Sequence, residues 1–293
     1  MTDPIRDLRI GFIGAGRVAS GLGLALAGQG YAVVASSSRN VRSAQALAAR
    51  VPGMKAVSHP QQVADASTLV FITTPDDLIG ETAASVAWRS GQAVAHCSGA
   101  ADVDVLASAR EAGARIGGFH PLQNFAVPET AARELAGCTF AIEAEEPLAG
   151  TLDAIARSLG GVPLRLPPGV RALYHASASY AGPFVVRLLL EAASLWSAFG
   201  VEPDAALRAL LPLARGTLAS VAASGSHAYI GGAVARGDVG TVRRHLEAMR
   251  RFAPDRRASY ARLLLEIVPV AVHQGTLSED RANELTALLS EAL

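Results

Sequence analysis

The residues best suited to chemistry in this chain lie in a glycine-rich segment near its start, residues 14–19, with the pattern Gly-x-Gly-x-x-Ala. The segment follows an apolar run at 10–13 and precedes an apolar helical stretch. Gly14 permits a tight turn, Gly16 lets the backbone approach a pyrophosphate, and the small Ala19 lets the helix pack on the strand. The first amides of that helix would point at the phosphates. The segment predicts a dinucleotide-binding site formed by Gly14, Ala15, Gly16, Arg17 and Val18.

A second segment, residues 36–39, reads Ser-Ser-Ser-Arg and follows the next predicted strand. In a dinucleotide-binding unit this is where an acidic residue normally binds the ribose 2′-hydroxyl. This chain has no Asp or Glu there. Hydroxyl groups and a guanidinium are groups that bind a 2′-phosphate. Ser37, Ser38 and Arg39 therefore predict a preference for NADP(H) over NAD(H).

Two further segments follow predicted strands and consist mainly of small and polar residues. Ligands of open α/β sheets bind beyond the carboxyl ends of the strands, so we expect both segments to line the pocket. Thr73, Thr74 and Pro75 would lie on the nicotinamide-ribose side. Ser98 and Gly99 would offer a hydroxyl and a backbone N–H to a substrate carboxylate. The alternative is that these segments are ordinary solvated loops.

Reduction of a carbonyl group needs a proton or hydrogen-bond donor near the developing alkoxide. The chain has a single lysine, Lys55, and histidine suits the role because it titrates near neutral pH. His120 ends a predicted strand, and His175 lies near the start of the C-terminal helices, with Ser179 one turn later. We expect His175 to donate the proton and His120 to orient the substrate or the nicotinamide. The reverse assignment and purely structural hydrogen bonds are the alternatives.

Three other polar residues have less context. Arg236, before Gly237, is predicted either to bind a substrate carboxylate or to serve a turn. His96 is expected to brace the turn that follows it, and Tyr174 is expected to pack.

The elements that must position these residues change in character near residue 165. Up to that point, apolar strand-like runs alternate with helical periodicity, which indicates an α/β, doubly wound, mainly parallel sheet with helices on both faces. Residues 166–169, Leu-Pro-Pro-Gly, break this pattern. Five helical segments then follow, at 171–199, 203–224, 238–251, 255–273 and 278–292. We predict an NADP-binding Rossmann domain over 1–165 and an all-helical substrate and dimerisation domain over 166–293.

The composition excludes several classes of protein. Of the 293 residues, 50% are hydrophobic and 18% are charged, which suits a folded core. The formal net charge is zero, so nothing attracts the chain to nucleic acid or an anionic membrane. Cys97 and Cys138 form no disulfide framework, and no Cys-x-x-Cys spacing suggests a metal. With a polar start and no apolar run of membrane length, we expect a soluble cytoplasmic protein.

Four segments carry a resemblance to a known group: residues 13–18, 96–100 (His-Cys-Ser-Gly-Ala), 118–123 (Gly-Phe-His-Pro-Leu-Gln) and 173–178 (Leu-Tyr-His-Ala-Ser-Ala). With them the chain resembles a bacterial family of Rossmann-like NADP oxidoreductases with a helical C-terminal domain of unassigned function. That family is similar to pyrroline-5-carboxylate reductase, F420-dependent NADP reductases and β-hydroxyacid dehydrogenases. The resemblance implies a C-terminal domain like that of phosphogluconate dehydrogenase. It also implies a homodimer paired through that domain, which the apolar faces of 261–272 and 285–293 favour.

One departure from these relatives affects the chemistry. β-Hydroxyacid dehydrogenases use a lysine and an asparagine one turn apart, where this chain has His175 and Ser179. Their lysine chemistry therefore does not carry over. Some members of the family are proposed to be alternative ketopantoate reductases, so the leading hypothesis is an NADPH-dependent reductase of a small 2-oxo acid. The alternatives are an imine reductase of the pyrroline-5-carboxylate type and an NADPH-binding regulator without turnover.

Overall fold

A single eight-stranded sheet forms the centre of the first part of the molecule. The computed structural model describes residues 8–225 and 230–293. The strands are β1 (Arg9–Ile13), β2 (Ala32–Ser37), β3 (Lys55–Val57), β4 (Leu69–Ile72), β5 (Ala93–His96), β6 (Arg115–Pro121), β7 (Thr139–Ala144) and β8 (Val162–Arg165). Their order in the sheet is β3-β2-β1-β4-β5-β6-β7-β8, and every neighbouring pair is parallel except β6 and β7. The predicted fold class is confirmed.

Helices cover both faces of this sheet. They are α1 (Arg17–Gly28), α2 (Val41–Ala48), α3 (Pro60–Ala66), α4 (Ile79–Ala84), α5 (Ala107–Glu111), α6 (Pro128–Arg133) and α7 (Leu148–Ser158). Successive residues of a strand point to opposite faces, so two separate cores form. On β4, for example, Phe71 belongs to one core, and Val70 and Ile72 belong to the other.

A row of four phenylalanine rings crosses one face of the sheet. The ring centroids of Phe12 and Phe71 are 5.6 Å apart, those of Phe71 and Phe119 are 5.4 Å apart, and those of Phe119 and Phe140 are 5.0 Å apart. All four side chains are fully buried. Aromatic contacts at these separations are favourable beyond the burial of apolar area. The row connects β1, β4, β6 and β7, and the carboxyl ends of the first three carry predicted site residues.

The chain divides into two compact units after Gly182. The sequence predicted this boundary at 165/166, but helix α8 (Arg171–Ala181) belongs to the sheet-containing unit. The predicted helix 171–199 is interrupted, because α9 (Pro183–Leu195) begins at a proline, which cannot continue the preceding helix. By length and composition alone, the run Arg171–Phe199 could cross a membrane. However, its first residue is a charged side chain buried in the sheet-containing unit.

The second unit is helical, as predicted. Besides α9, its helices are α10 (Pro203–Ser224), α11 (Val239–Phe252), α12 (Pro254–His273) and α13 (Glu279–Ser290). Helices α11, α12 and α13 share a buried core that includes Val242, Val268 and Leu285. Helices α9 and α10 pack on each other. Within the described residues of these two helices, only Ala193 and Ala206 are buried. Most of their apolar surface remains exposed.

Candidate functional site

The glycine-rich turn after β1 can be formed only with glycine at its first position. Gly14 has a φ of +104°, and a Cβ there would lie 2.6 Å from the carbonyl carbon of Thr73. The Gly14 amide donates to the Ser37 carbonyl at 2.9 Å. The Thr73 hydroxyl donates to the Gly14 carbonyl, also at 2.9 Å. These contacts hold together the carboxyl ends of β1, β2 and β4.

Helix α1 begins directly after this turn with its first amides uncapped. Its N-cap is Gly16, which has no side chain that could accept a hydrogen bond from these amides. A Cβ built at Gly16 would meet nothing within 4 Å. The start of α1 therefore faces open space, as it would where a phosphate group approaches the backbone and accepts hydrogen bonds from the helix amides.

A cavity of about 410 Å³ opens at this point of the sheet. Nine of the eleven predicted cofactor residues line it: Gly14, Ala15, Gly16, Ser37, Ser38, Arg39, Thr73, Thr74 and Pro75. The other two, Arg17 and Val18, lie in the first turn of α1 and do not line the cavity. The sequence analysis missed four residues whose hydroxyl-bearing side chains also line it: Ser43, Ser58, Thr82 and Ser85. Ser43 lies in α2. Ser58 lies between β3 and α3, two elements that the sequence analysis did not predict.

The polar groups of this cavity fit a dinucleotide that carries an additional phosphate. The hydroxyls of Ser37 and Thr74 are buried and have no hydrogen-bond partner within the described residues. A buried polar group without a partner is costly, and a ligand would supply the missing bond. Arg39 is exposed at the rim, and its guanidinium, for which no partner lies among the described residues, can form a bidentate contact with a phosphate.

A second group of residues in the same unit lies at the carboxyl ends of β5 and β6. His120 of β6 contacts two residues of α8, Tyr174 and His175. The His120 Nδ1 lies 3.0 Å from the Tyr174 hydroxyl oxygen. The rings of His120 and His175 meet edge to face, with centroids 5.4 Å apart. The structure thus brings together the two histidines that the sequence analysis selected from distant segments. It also corrects the assignment of Tyr174 as a packing residue only.

Gly99 leaves the space into which both imidazoles point. A Cβ there would collide with the His175 Nδ1 and would lie 2.9 Å from the His120 Nε2. The His175 Nδ1 is buried and has no hydrogen-bond partner within the described residues. Because Gly99 has no side chain, the two histidine rings have room to occupy these positions.

The protonation of this group is set mainly by burial. The pKa of His120 is lowered to about 4, mainly by burial and then by the charges of His175 and Arg171. Burial likewise lowers the pKa of His96 to about 3, with the charges of Arg171 and His120 next. For Tyr174, burial raises the pKa of the hydroxyl to about 12. At neutral pH His120 is therefore an uncharged imidazole and Tyr174 an uncharged phenol.

The Ser98 hydroxyl is used within its own turn. It donates to the Asp76 carboxylate at 2.6 Å and accepts from the amides of Ala100 and Ala101. Its one proton is therefore not available to a substrate carboxylate. This bond also connects the Ser98–Gly99 turn to the residue that follows the cavity-lining Pro75.

The remaining predicted residues are less constrained. Ser179 lies one turn after His175 in α8 and is half-buried. Arg236 is exposed in a turn of the second unit, so its role stays a prediction. Among the residues that the structure describes, no three His, Cys, Asp or Glu side chains form a group that could hold a metal.

Two family models match the chain. Residues 3–121 match a Rossmann-like domain, and residues 138–267 match a domain of unknown function, DUF2520. The chain thus combines a Rossmann-like domain with a C-terminal DUF2520 domain, which confirms the resemblance found in the sequence. No curated protein matches the chain by sequence.

Solved structures with the same fold include several with NADP in their names. An inferred NADP oxidoreductase from Bacteroides fragilis is 24% identical, with a TM-score of 0.72 over 90% of this chain and 98% of that one. A reductive aminase from Aspergillus terreus, in complex with NADPH and ethyl-5-oxohexanoate, is 15% identical, with a TM-score of 0.59 over 97% and 93%. Pyrroline carboxylate reductase from Plasmodium falciparum, with NADP bound, is 12% identical, with a TM-score of 0.59 over 96% and 98%.

Proposed function

We propose that this protein is an NADP(H)-dependent oxidoreductase that reduces the C=O or C=N bond of a small molecule. The observation that carries the proposal is a single cavity. It is lined by Gly14 and Gly16 of the glycine-rich turn and also by Ser38 and Arg39. A pyrophosphate site beside a hydroxyl and guanidinium site is what a dinucleotide with a 2′-phosphate requires. The names of the structural neighbours support the same cofactor.

In this proposal each residue has a defined task. When bound, NADPH supplies a hydride to the substrate carbon. The uncapped amides at the start of α1 bind the pyrophosphate, and Ser38 and Arg39 bind the 2′-phosphate. His175 donates the proton that the developing negative charge requires, and the uncharged His120 orients the substrate by a hydrogen bond.

The substrate we propose first is a small 2-oxo acid of the ketopantoate kind, which follows from the sequence resemblance. An imine is the second candidate, favoured because the structural neighbours include a reductive aminase and a pyrroline carboxylate reductase. Both substrates present the carbon of a polarised double bond to the same hydride donor. Both also need a proton at the other atom of that bond, the oxygen of C=O or the nitrogen of C=N.

The test measures NADPH oxidation by the purified protein with a panel of 2-oxo acids and cyclic imines. We expect turnover with at least one member of the panel and a preference for NADPH over NADH. Turnover confined to the imines would select the second candidate. Tight NADPH binding with no turnover across the panel would contradict an enzyme and favour an NADPH-binding regulator.

The matched control is Gly16→Val. Because a Cβ at Gly16 meets no other atom within 4 Å, this variant should fold normally while filling the space proposed for the pyrophosphate. We expect it to lose NADPH binding without a change in thermal unfolding. Unchanged NADPH affinity in a folded Gly16→Val protein would show that the cofactor binds elsewhere.

The apolar faces of 261–272 and 285–293, which were expected to pair two copies, lie mostly in the buried core of the second unit. We therefore propose that the protein functions in the cytoplasm as a homodimer whose interface includes α9 and α10 instead. Leu213 and Leu218 of α10 are 71% and 58% exposed, and Leu190 of α9 is 53% exposed. Apolar surface of this extent marks an interaction site, and most soluble oligomers are symmetric homodimers.

Sedimentation at micromolar concentration should therefore give the mass of a dimer. Replacing Leu213 and Leu218 together by arginine should shift the protein towards the monomer. Val41→Arg is the control, because Val41 is an exposed apolar residue of the first unit and should leave the mass unchanged. A monomeric wild-type protein would overturn the proposal.

A further inference from the structure

Arg171, the first residue of α8, is a charged side chain that is completely buried. Removing a guanidinium from water is costly unless its charge and its N–H groups find partners inside the protein. Burial accordingly lowers the pKa of Arg171. The tasks proposed above for the cofactor and the substrate do not use this residue, so its burial requires a separate explanation.

Arg171 contacts both the turn that carries Gly99 and strand β7. One terminal nitrogen, Nη2, donates to the Ser98 carbonyl at 2.8 Å. The other, Nη1, lies 3.5 Å from the Glu143 carboxylate on β7, a long ion pair. The third donor, Nε, is buried without a partner within the described residues. The strongest of these interactions therefore holds the peptide between Ser98 and Gly99.

The sheet has a vacancy that accommodates the guanidinium. A Cβ at Gly118 of β6 would lie 2.6 Å from the Arg171 Nη1 and 2.7 Å from its Cζ. Any other residue at position 118 would push the guanidinium away from the strand. Gly118 thus lets Arg171 lie against β6, two residues before His120.

Helix geometry connects Arg171 to the site. Residues i, i+3 and i+4 of a helix share one face, and here they are Arg171, Tyr174 and His175. Tyr174 contacts His120, and His175 faces Gly99. Anchoring the first of these residues on the Gly99 turn sets the position of the other two against it.

The charge of Arg171 also acts on the histidines. A positive charge nearby disfavours protonation of an imidazole, and Arg171 contributes to the lowered pKa of both His120 and His96. The ionisable groups around His120 are Arg171, Tyr174 and His175 on α8, His96 on β5, and Glu143 on β7 beyond the guanidinium.

We propose that Arg171 is a positioning residue that anchors the Ser98–Gly99 turn to α8 and so places Tyr174 and His175 against His120 and Gly99. The anchoring and the effect on His120 are independent of the proposed reaction. Only the use of an uncharged His120 to orient substrate rests on the proposed function.

The test is a histidine NMR titration of the full-length protein between about pH 3 and pH 8. In the wild type, we expect the His120 ring to titrate with a midpoint near the pKa of about 4 and to be neutral at higher pH, with its signals assigned by their loss in His120→Gln. In Arg171→Met, we expect the His120 midpoint to rise by about one pH unit and the Gly99 amide resonance to shift. The resonances of Gly14 and Gly16 should not move.

Two further variants separate charge from structure. Arg171→Met with Glu143→Gln removes both members of the ion pair, which protects the fold against an unpaired buried carboxylate, and should show the same rise for His120. Gly118→Ala keeps the arginine but displaces its guanidinium, so the Gly99 resonance should shift again.

An unchanged His120 midpoint in folded Arg171→Met and in the double variant would overturn the effect on His120. A Gly99 resonance that moves in neither Arg171→Met nor Gly118→Ala would overturn the anchoring role. Because the titration uses no substrate, it tests both roles of Arg171 even if the proposed function is wrong.

Discussion

Replacing His175 by alanine should lower kcat by about 10² to 10⁴ while leaving NADPH binding intact, because the reaction would lose its general acid. We propose His175 for this role in preference to His120. The pKa of His120 is held near 4, so at neutral pH His120 has no proton beyond that of the uncharged ring. The Nδ1 of His175, by contrast, is buried beside Gly99 with no partner within the described residues. The measurement is steady-state kinetics on a substrate identified by the panel, together with NADPH titration.

Tyr174→Phe and His120→Ala are the matched controls. Tyr174→Phe removes the hydroxyl that lies 3.0 Å from the His120 Nδ1 and keeps the ring. Since His120 orients substrate in this proposal, both variants should raise KM more than they lower kcat. The reverse pattern, a large loss of kcat in His120→Ala and a change in KM for His175→Ala, would exchange the two roles. A kcat near that of the wild type in both histidine variants would leave proton donation to Ser179 or to a bound water.

Much of the sheet-containing unit could be predicted because its signals are local. The apolar runs that became β4 and β6 alternate with helical periodicity, and that alternation determines a parallel sheet. The glycine pattern at 14–19 is also local, since the turn, the open face at Gly16 and the start of α1 all arise within six residues of sequence.

Strand β3 and helix α3 were missed for the opposite reason. Strand β3 has three residues, Lys55–Val57, and is defined by its pairing with β2, not by an apolar run. Helix α3 follows it after two residues. Neither segment is long enough to show a period, and Ser58, which lies between them in the cavity, was missed with them.

The histidine site could be predicted only in part. The polarity of the strand ends indicated His120, and the resemblance to other reductases indicated His175. Arg171 gave no such signal, because a charged residue at a helix start is normally exposed. Its burial depends on Gly118, which is 53 positions earlier in the chain and leaves room for the guanidinium only once β6 has formed. The predicted boundary at 165/166 separated these two residues for the same reason.

Replacing Ser38 and Arg39 together by alanine should weaken NADPH binding by about 100-fold, the effect of a few kcal/mol, and leave NADH binding nearly unchanged. A bidentate contact between a guanidinium and a phosphate, together with a hydroxyl hydrogen bond, accounts for a loss of this size. Both side chains line the cavity beside the Gly14 turn, and neither is needed for the fold, because Arg39 is exposed and Ser38 half-buried. The measurement is the dissociation constant of each cofactor by fluorescence titration.

Arg42→Ala is the control that separates a specific contact from general charge. Arg42 is an exposed arginine three residues further along the chain, on α2, and it does not line the cavity. If Ser38 and Arg39 bind the 2′-phosphate, only the variant that lacks both should lose its preference for NADPH. High salt should reduce this loss of affinity only modestly, because the contact is a hydrogen bond as well as a charge pair. An equal loss of affinity for NADPH and NADH would show that these side chains stabilise the loop and do not bind the 2′-phosphate. Equal losses from Arg42→Ala and from the double variant would show that the positive potential at this edge of the sheet, and no single guanidinium, attracts the cofactor.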